Sequence, residues 1–451
     1  MRQFDGIFIG AGQAGPFLAA RMAERGMKVA IIERKFLGGT CVNAGCMPTK
    51  TLVASARAAY VSRRGADWGV KIAGDVAVDM QVVRRRAHQV TMDARNGLAD
   101  WLGNMDGVSI IDGHARFVVA DRVGVDGEIL AAPRIFLNVG ARPVIPDFSG
   151  LEDIDYLTST SILELDTLPR HLAIIGGSYI ALEFAQMYRR FGSEVTVIER
   201  GPRLASREDE DVSDAIRDIL EAEGVDVRTE VERIAFSRAG EGIHVSVDGA
   251  GIDVSHVLVA TGRRPNTDDL DLDAAGVAVD PRGYIVVDNK LETNVPGIWA
   301  LGDCNGRGAF THTSYNDFEI VAANLLDGEH RKVSSRIPAY ALYVDPPLGR
   351  VGMTEREAAS SGRKVLVSKR PMERVGRAKE RDETRGFMKV IADADTREIL
   401  GAAILGIEGD EAIHGVIDAM NAGTRYTDLQ WAVPIHPTVS EMIPTLLRGL
   451  G

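Results

Sequence analysis

The chain contains the same pattern twice, and this duplication limits its fold more than any other feature. In each copy a short apolar strand leads into a glycine-rich turn, a helical stretch, a second strand and an acidic residue. The first copy runs from GIFIG at 6–10 to Glu33. The second runs from HLAIIG at 171–176 to Glu199. Such a turn lets the backbone approach a pyrophosphate at a helix N-terminus, and the acid can accept hydrogen bonds from a ribose. The sequence therefore predicts two Rossmann-like units and two dinucleotides.

Composition limits the partners of the chain. Its 451 residues are 45% hydrophobic and 26% charged, which is typical of a globular protein with several cores. The formal charge of −12 and the dispersed Lys and Arg residues argue against nucleic acid and against a polybasic membrane surface. No apolar run approaches the roughly 18 to 20 residues of a membrane helix, and the N-terminus has no signal-peptide pattern. We therefore expect a small-molecule partner and a cytoplasmic location.

Two of the three cysteines lie close together, in the segment GGTCVNAGCMPTK at 38–50. Three cysteines cannot build a disulfide scaffold, so a close pair in a reducing compartment indicates a metal site or a redox centre. A mononuclear zinc site usually needs four ligands, and no second cysteine pair exists. The pair Cys41 and Cys46 therefore favours a redox centre, and we expect no bound metal.

This cysteine segment resembles the redox-disulfide motif of the flavin-dependent pyridine nucleotide-disulfide oxidoreductases, a family that includes glutathione reductase, dihydrolipoamide dehydrogenase and mercuric reductase. Further segments follow in the family's order: NVGARPVIP (138–146), VATGRRPN (259–266), TNVPGIWALGD (293–303), GRVGMTE (349–355) and IHPTVSE (435–441). The resemblance implies an FAD-dependent enzyme that passes electrons from NAD(P)H through flavin and a Cys41/Cys46 disulfide. The implied acceptor is a small-molecule disulfide or a thiol-reactive metal ion, as in mercuric reductases.

The resemblance also implies an α/β fold with two Rossmann-like dinucleotide-binding domains, one inserted in the other, and a C-terminal α+β dimerisation domain. The implied domains are an FAD-binding domain at 1–145, an NAD(P)-binding domain at 146–262, a return segment of the FAD-binding domain at 263–330, and a dimerisation domain at 331–451. We expect a homodimer.

The spacing of the two cysteines suits a redox disulfide. Four residues separate them, and on a distorted first helical turn their Cα atoms can come within the roughly 4.4 to 6.8 Å that a disulfide requires. A helix N-terminus also lowers a thiol pKa and so favours the reactive thiolate. By the resemblance, Cys41 is the interchange thiol that faces substrate, and Cys46 is the charge-transfer thiol that faces the flavin.

The remaining FAD contacts also follow from the resemblance. Lys50 matches a lysine near the flavin N5 that pairs with a glutamate matching Glu183, and Asp303 matches the aspartate that binds the ribityl hydroxyl. We expect Cys304, which has no cysteine partner, to be a packed small residue. The residues assigned to FAD are Gly10, Gly12, Gly15, Glu33, Gly39, Thr40, Lys50, Gly140 and Asp303.

The second glycine turn has Ser178 where the first has its middle glycine. Tyr179 after it matches a gate that covers the flavin until nicotinamide displaces it. Glu199 would bind the ribose hydroxyls of NAD, whereas Arg200 and Arg203 could bind the 2′-phosphate of NADP, so the choice of coenzyme stays open. The residues assigned to NAD(P) are Gly176, Tyr179, Glu183, Glu199, Arg200 and Gly262.

The C-terminal segment IHPTVSE gives His436 and Glu441 the family spacing of a proton-transfer dyad. A histidine can take the proton released when a thiol attacks, and a carboxylate fixes its tautomer. In relatives this dyad reaches the disulfide of the other subunit. With Cys41, Cys46, Lys50 and Glu183, these two residues complete the predicted catalytic set.

Departures from the family pattern bear on the substrate. The chain ends LLRGLG without the terminal cysteine pair of mercuric reductases, so we do not expect mercury delivery by that route. Pro434 replaces the first histidine of the H-x-H-P-T pattern usual in glutathione reductases and dihydrolipoamide dehydrogenases, whose activities stay as alternatives. The segments DPPLGRVGMTE (345–355) and GRGAFTHTSYNDFE (306–319) look closest to mercuric-reductase-like proteins and reactive-chlorine-resistance flavoproteins. A non-catalytic disulfide redox sensor is the alternative of another class, although it would need no histidine dyad.

Overall fold

The computed structural model describes residues 1–450. Its first unit is built on a parallel sheet in which all strands but the edge strand Val108–Asp112 are buried and largely apolar, the burial expected when helices cover both faces. The order across this sheet is β19 (Ile298–Ala300), β8 (Ile135–Leu137), β2 (Gly6–Ile9), β3 (Val29–Glu33) and β4 (Val108–Asp112). A smaller sheet beside it has the order β1 (Arg2–Gln3), β7 (Glu128–Ala131), β6 (Arg122–Val125) and β5 (Arg116–Val119).

Helices of the first unit carry the predicted glycine turn and cysteine pair. The turn after β2 opens into a helix with a proline in its first turn, where the missing N–H costs no intrahelical bond. The fourth helix is capped by Asp79, whose side chain accepts from the backbone N–H of Val82. The helices are α1 (Gly15–Glu24), α2 (Gly39–Ala44), α3 (Cys46–Arg63), α4 (Met80–Gly103), α7 (Leu272–Ala275) and α8 (Thr311–Leu326).

The second unit repeats the parallel arrangement. Its sheet order is β10 (Tyr156–Thr158), β17 (His256–Val259), β11 (His171–Ile175), β12 (Glu194–Ile198) and β13 (Asp226–Arg228). An antiparallel sheet consists of β14 (Ile234–Ala239), β15 (Gly242–Val247) and β16 (Ala250–Val254). The helices are α5 (Tyr179–Phe191) and α6 (Glu210–Ala222). The duplication seen in the sequence is therefore a duplication of structure.

The second unit is inserted in the first. The chain leaves the first parallel sheet after β8 and returns to it at β19, which pairs directly with β8. The outgoing and returning connections pair as antiparallel strands β9 (Ala141–Pro143) and β18 (Arg263–Pro265). The insertion agrees with the predicted fold class, while the individual domain boundaries stay predictions.

The third unit is an antiparallel sheet covered by short helices. Its order is β20 (Ala339–Leu342), β21 (Leu348–Gly352), β24 (Ile399–Leu405), β23 (Phe387–Asp393) and β22 (Val365–Pro371). The helices are α9 (Glu355–Ser360), α10 (Gly376–Glu380), α11 (Gly409–Ala412), α12 (His414–Asn421), α13 (Tyr426–Leu429) and α14 (Ile443–Arg448). Short 3-10 helices span Gly65–Trp68, Ser161–Glu164, Gly302–Asn305, Val333–Ser335, Met372–Arg374 and Ser440–Met442.

One apolar cluster joins the three units. It contains Leu52 of α3, Leu182 of α5 and Leu405 of β24. Burial of such side chains contributes about 1.5 to 3 kcal/mol each, so this cluster fixes α3 and α5 against the third sheet. Within residues 1–450, no helix is both long enough and apolar enough to span a membrane.

Candidate active site

The two cysteines lie at a break between two helices. Cys41 belongs to α2 and Cys46 begins α3, with Gly45 between the helices at φ −138° and ψ −122°. A Cβ at Gly45 would lie 2.8 Å from the carbonyl oxygen of Thr40, so this close approach favours glycine. The predicted distorted helical turn is therefore a junction of two helices. Both cysteines are free thiols in this structure.

Contacts around the pair make the two thiols unequal. The pKa of Cys46 falls to about 6, first because the Cys41 thiol donates a hydrogen bond to its sulfur. The hydroxyl of Thr311, 3.2 Å from Sγ of Cys46, and the charge of Lys50 lower it further. The pKa of Cys41 rises because its proton is held in the hydrogen bond to Cys46 and because it is partly buried. Cys46 is therefore the thiolate and Cys41 the thiol of the reduced pair.

Lys50 and Glu183 form the ion pair that the resemblance implied. The Nζ atom of Lys50 lies 3.0 and 2.7 Å from the two carboxylate oxygens of Glu183. Glu183 is buried and also accepts from the backbone N–H of Tyr343 at 3.0 Å, while the Lys50 ammonium lies 4.7 Å from the Tyr343 ring centroid. A buried carboxylate held at three points fixes the direction of the lysine towards the cysteines.

The first glycine turn is organised by Asn138, which the sequence reasoning missed. Its Oδ1 accepts from the N–H groups of Ala14 and Gly15, and its Nδ2 donates to the carbonyl of Leu301. A Cβ at Gly12 would lie 2.7 Å from this Oδ1, and Gly10 has φ +89°. Asn138 directly follows β8, and a polar residue at the end of a buried apolar strand was the available signal.

Glu33 ends β3 beside the turn. Its Oε2 accepts from the N–H of Ala11 at 2.9 Å, which holds the carboxylate at the edge where a ribose would bind. Gly39 approaches the same turn, because a Cβ there would lie 2.9 Å from the Cα of Gly12. Thr40 follows and accepts from Arg263 at 3.4 Å. These predicted residues therefore surround one turn.

Gly140 and Asp303 follow two neighbouring strands of the first sheet, β8 and β19. Asp303 follows β19 in a 3-10 helix, and burial raises the pKa of its carboxyl, partly offset by the charge of Arg263. Gly140 follows β8 at φ +66°, and its carbonyl accepts from the N–H of Asn266. Cys304 is fully buried and its thiol donates to the carbonyls of Leu137 and Leu301, so it is a packed residue as expected.

These observations test whether a dinucleotide fits the first turn. Within residues 1–450, no hydrogen bond uses the backbone N–H of Gly12 or Gln13, at the start of α1. Helix N-termini with free N–H groups are the usual partners of a pyrophosphate, and Glu33 supplies the ribose acceptor. The donor set therefore fits FAD.

The second glycine turn has the same construction. The carboxylate of Glu199, at the end of β12, accepts from the N–H groups of Gly177 and Gly201. Gly176 has φ +116°, and a Cβ there would lie 2.6 Å from the carbonyl oxygen of Ala260. Gly262 has φ +142°, and its carbonyl accepts from Val144.

The two arginines after Glu199 differ in their partners. Arg203 lies 3.3 Å from Glu210 and 3.2 Å from Asp214. Arg200 is exposed, and no ion pair of residues 1–450 includes it. Arg200 is therefore the cation available to a 2′-phosphate.

Tyr179 begins α5 and is held by residues that the sequence did not single out. Its hydroxyl donates to Oε1 of Glu208, which also accepts from Tyr340 at 2.7 Å. The ring centroids of Tyr179 and Tyr340 are 5.5 Å apart, and Tyr340 stacks on Phe310 at 5.4 Å. Neither Glu208 nor Tyr340 lies in a recognisable motif, because their contact with Tyr179 exists only in the folded chain.

His436 and Glu441 form the predicted dyad. Nδ1 of His436 lies 2.9 Å from Oε2 of Glu441, and the side chain of His436 is 78% exposed. The residues before it are apolar and unusually exposed, with Val433 at 96%. No hydrogen bond within residues 1–450 joins His436 to either member of the cysteine pair. Residues 1–450 contain no group of three or more Cys, His, Asp or Glu side chains that could hold a metal.

Comparison with known proteins gives a consistent result. A family model described as pyridine nucleotide-disulphide oxidoreductase matches residues 4–317, and a model of the family's dimerisation domain matches residues 338–447. The probable pyridine nucleotide-disulfide oxidoreductase RclA of Escherichia coli is 37% identical over 457 aligned positions, covering 99% of each chain.

Two further relatives are named for other activities. A mercuric reductase from Bacillus cereus is 33% identical over 97% of this chain and 70% of its own length. A dihydrolipoyl dehydrogenase from Thermus scotoductus is 34% identical over 98% of this chain and 96% of its own length. The solved Cu(II) complex of the HOCl-induced flavoprotein disulfide reductase RclA superposes with a TM-score of 0.91 at 36% identity, over 99% of both chains.

Proposed function

Because this chain belongs to the pyridine nucleotide-disulphide oxidoreductase family, we propose that it transfers electrons from NAD(P)H through Cys41 and Cys46 to a disulfide or a thiol-reactive metal ion. As a member of that family it is a flavoprotein oxidoreductase that uses FAD and NAD(P)H. The observation that carries the proposal is the position of Cys41 and Cys46 at the junction of α2 and α3, where the hydroxyl of Thr311 lies 3.2 Å from the sulfur of Cys46.

The first glycine turn, Glu33 and Asp303 hold FAD in this proposal. When bound, FAD accepts a hydride from NAD(P)H and supplies two electrons to the cysteine pair. Lys50, fixed by Glu183, keeps a positive charge beside Cys46 and so stabilises negative charge there. With a disulfide acceptor, Cys41 attacks one sulfur and releases the first thiol, since Cys46 is the thiol held by Thr311 and Lys50. Cys46 then attacks Cys41, which releases the second thiol and re-forms the Cys41/Cys46 disulfide.

The dyad supplies proton transfer in this proposal. Glu441 orients the imidazole of His436 and stabilises its protonated form, and His436 takes the proton of the attacking thiol. The exposure of His436 and of the apolar residues before it supports a site shared between two subunits. A dimerisation domain at 338–447 fits such a homodimer.

The names of the relatives support two classes of electron acceptor. A relative named mercuric reductase and the Cu(II) complex of another support a metal ion as substrate, and a dihydrolipoyl dehydrogenase supports a disulfide. The decisive experiment measures NADH and NADPH oxidation with glutathione disulfide, lipoamide, Hg(II) and Cu(II), with Cys41→Ser as control. Turnover that needs Cys41 supports the proposal, and oxidation that is the same in Cys41→Ser contradicts it.

A further inference from the structure

Glu208 is a buried carboxylate that connects the second unit to the third. It is 2% exposed and lies just before α6. Its Oε1 accepts from Tyr179 at the start of α5 and from Tyr340 of β20. Burial, and the negative charge of Glu208, raise the pKa of both phenols, so both remain protonated and can donate.

The other oxygen of Glu208 is unsatisfied. Within residues 1–450, Oε2 has no hydrogen-bond partner, and it lies 3.9 Å from Nε of Arg350 on β21. Arg350 is 1% exposed, and all three of its guanidinium nitrogens lack a hydrogen-bond partner. A buried cation and a buried carboxylate oxygen therefore lie just beyond hydrogen-bond distance of one another. This arrangement costs free energy, because neither buried charged group has a hydrogen-bond partner.

The neighbouring carboxylate does not satisfy Arg350. Asp209 lies 3.6 Å from Arg350, but it is engaged at 2.9 Å by the ammonium of Lys389 and at 3.1 Å by the backbone N–H of Glu355. Glu208 is consequently the acceptor that a small movement can bring to Arg350.

We propose that the Tyr179 position seen here is the closed gate, that Glu208 is a positioning residue that holds it there, and that Arg350 receives Glu208 when the nicotinamide displaces the tyrosine. The inference rests on the proposed function, because it requires nicotinamide to take the place of the Tyr179 ring. Opening the gate breaks one hydrogen bond to Glu208, and a shift of about 1 Å towards Arg350 replaces it. Opening the gate therefore replaces the buried hydrogen bond between Tyr179 and Glu208 with one between Arg350 and Glu208.

The latch has a kinetic signature. If only the fraction of molecules with an open gate binds nicotinamide, the apparent Kd equals the intrinsic Kd divided by that fraction. Weakening the latch therefore lowers the apparent Kd and leaves the limiting rate of flavin reduction unchanged. A merely structural defect would lower that rate or the flavin content instead.

Rapid-mixing measurements of flavin reduction against NADH and NADPH concentration test the latch. Tyr179→Phe removes only the hydrogen bond of the closed gate and is expected to lower the apparent Kd about 2- to 10-fold, the range of one net hydrogen bond. Glu208→Gln weakens the contacts of both the closed and the open gate, so Tyr179→Phe should change the apparent Kd less in the Glu208→Gln background than in the wild type. Arg350→Met removes the receiving partner and is expected to raise the apparent Kd.

The matched control is Tyr188→Phe, which removes another buried phenol of α5, one that donates to the carbonyl of Ile162. It should leave the apparent Kd and the limiting rate of flavin reduction unchanged. If the wild-type protein is reduced normally, an unchanged apparent Kd in Tyr179→Phe, or additive effects in the double variant, would overturn the latch. A wild-type protein whose flavin neither coenzyme reduces would overturn the proposed function itself. The double variant decides the question even if Arg350→Met does not fold.

Discussion

The sulfur of Cys46 lies 3.2 Å from Oγ1 of Thr311, a residue 265 positions further along the chain. Thr311 is the first residue of α8, and Cys46 is the first residue of α3. The folded chain therefore brings two helix N-termini to one sulfur atom. With the thiol of Cys41 and the charge of Lys50, this contact lowers the pKa of Cys46 to about 6.

The first prediction concerns this pKa. In the reduced protein, Cys46 should be a thiolate above pH 6 and lose its charge as the pH falls through about 6. The long-wavelength absorption of a thiolate beside oxidised flavin reports its charge. Thr311→Val should raise the midpoint by about 0.5 to 1 pH unit, because one hydrogen bond to the thiolate is lost. Thr51→Val, which removes a hydroxyl of α3 that donates to Met47, should leave the midpoint in place.

The second prediction separates the roles of the two cysteines. Cys46→Ser should have no long-wavelength band under any reducing condition, because the thiolate is gone. Cys41→Ser should have the band without reductant, because Cys46 can no longer be oxidised to a disulfide with Cys41. Absorption spectra of the two purified variants give the answer, and the opposite pattern would exchange the assigned roles.

The third prediction concerns the ion pair of Lys50 and Glu183. The charge of Lys50 lowers the pKa of Cys46, and the charge of Glu183 raises it. Lys50→Met should therefore raise the midpoint of the Cys46 titration, and Glu183→Gln should lower it. Spectroscopic pH titration checks both. Shifts of the same sign in the two variants would contradict this electrostatic account.

The fourth prediction concerns the coenzyme. Glu199 is held beside the second glycine turn by the N–H groups of Gly177 and Gly201, where a 2′-phosphate would meet its charge. Such repulsion costs on the order of 1 kcal/mol or more, so kcat/KM should favour NADH by at least about fivefold. Steady-state kinetics with both coenzymes check this. A preference for NADPH that Arg200→Ala abolishes would show that Arg200 decides instead.

The fifth prediction concerns the dyad. His436→Ala should leave flavin reduction by NAD(P)H nearly intact and slow disulfide turnover about 10²- to 10⁴-fold, the usual contribution of general acid-base catalysis. Glu441→Gln should cause a smaller loss, because the imidazole is misoriented rather than removed. Separate measurement of the reductive and oxidative half-reactions distinguishes these effects.

The assignment of His436 to the cysteine pair of the other subunit predicts a site that two subunits of a homodimer share. Mixed dimers of Cys41→Ser and His436→Ala subunits should regain activity, because one of their two sites contains both intact parts. Subunit exchange, checked with differently tagged chains, is the control. Exchanged dimers that stay inactive would show that His436 does not act across the interface.

The sequence predicted the parts of the site that lie in continuous motifs. The two glycine turns, the acids that end β3 and β12, and the pair Cys41 and Cys46 are each recognisable within a few residues of chain. Helix and strand patterns placed them correctly because short-range geometry determines these turns.

The parts that the sequence missed depend on tertiary contacts. Asn138 reaches the turn at Gly15 across 123 positions, and Tyr340 reaches Glu208 across 132. Nothing in the local sequence indicates that Thr311 contacts a cysteine. The contact exists because the first residue of α8 lies beside Cys46 in the folded chain. Asn138 begins a segment recognised in the sequence, but no periodicity or motif indicates the partners of these three residues, since each contact exists only after distant parts of the chain have folded together.

The central claim is that the Cys41/Cys46 pair is a redox centre that stores two electrons in addition to those of the flavin. Anaerobic titration with dithionite, followed by absorbance, counts these electrons per subunit. The oxidised wild-type protein with bound FAD should take up about four electrons before the flavin is fully reduced, and Cys46→Ser about two. Equal uptake of two electrons by both proteins would contradict the account.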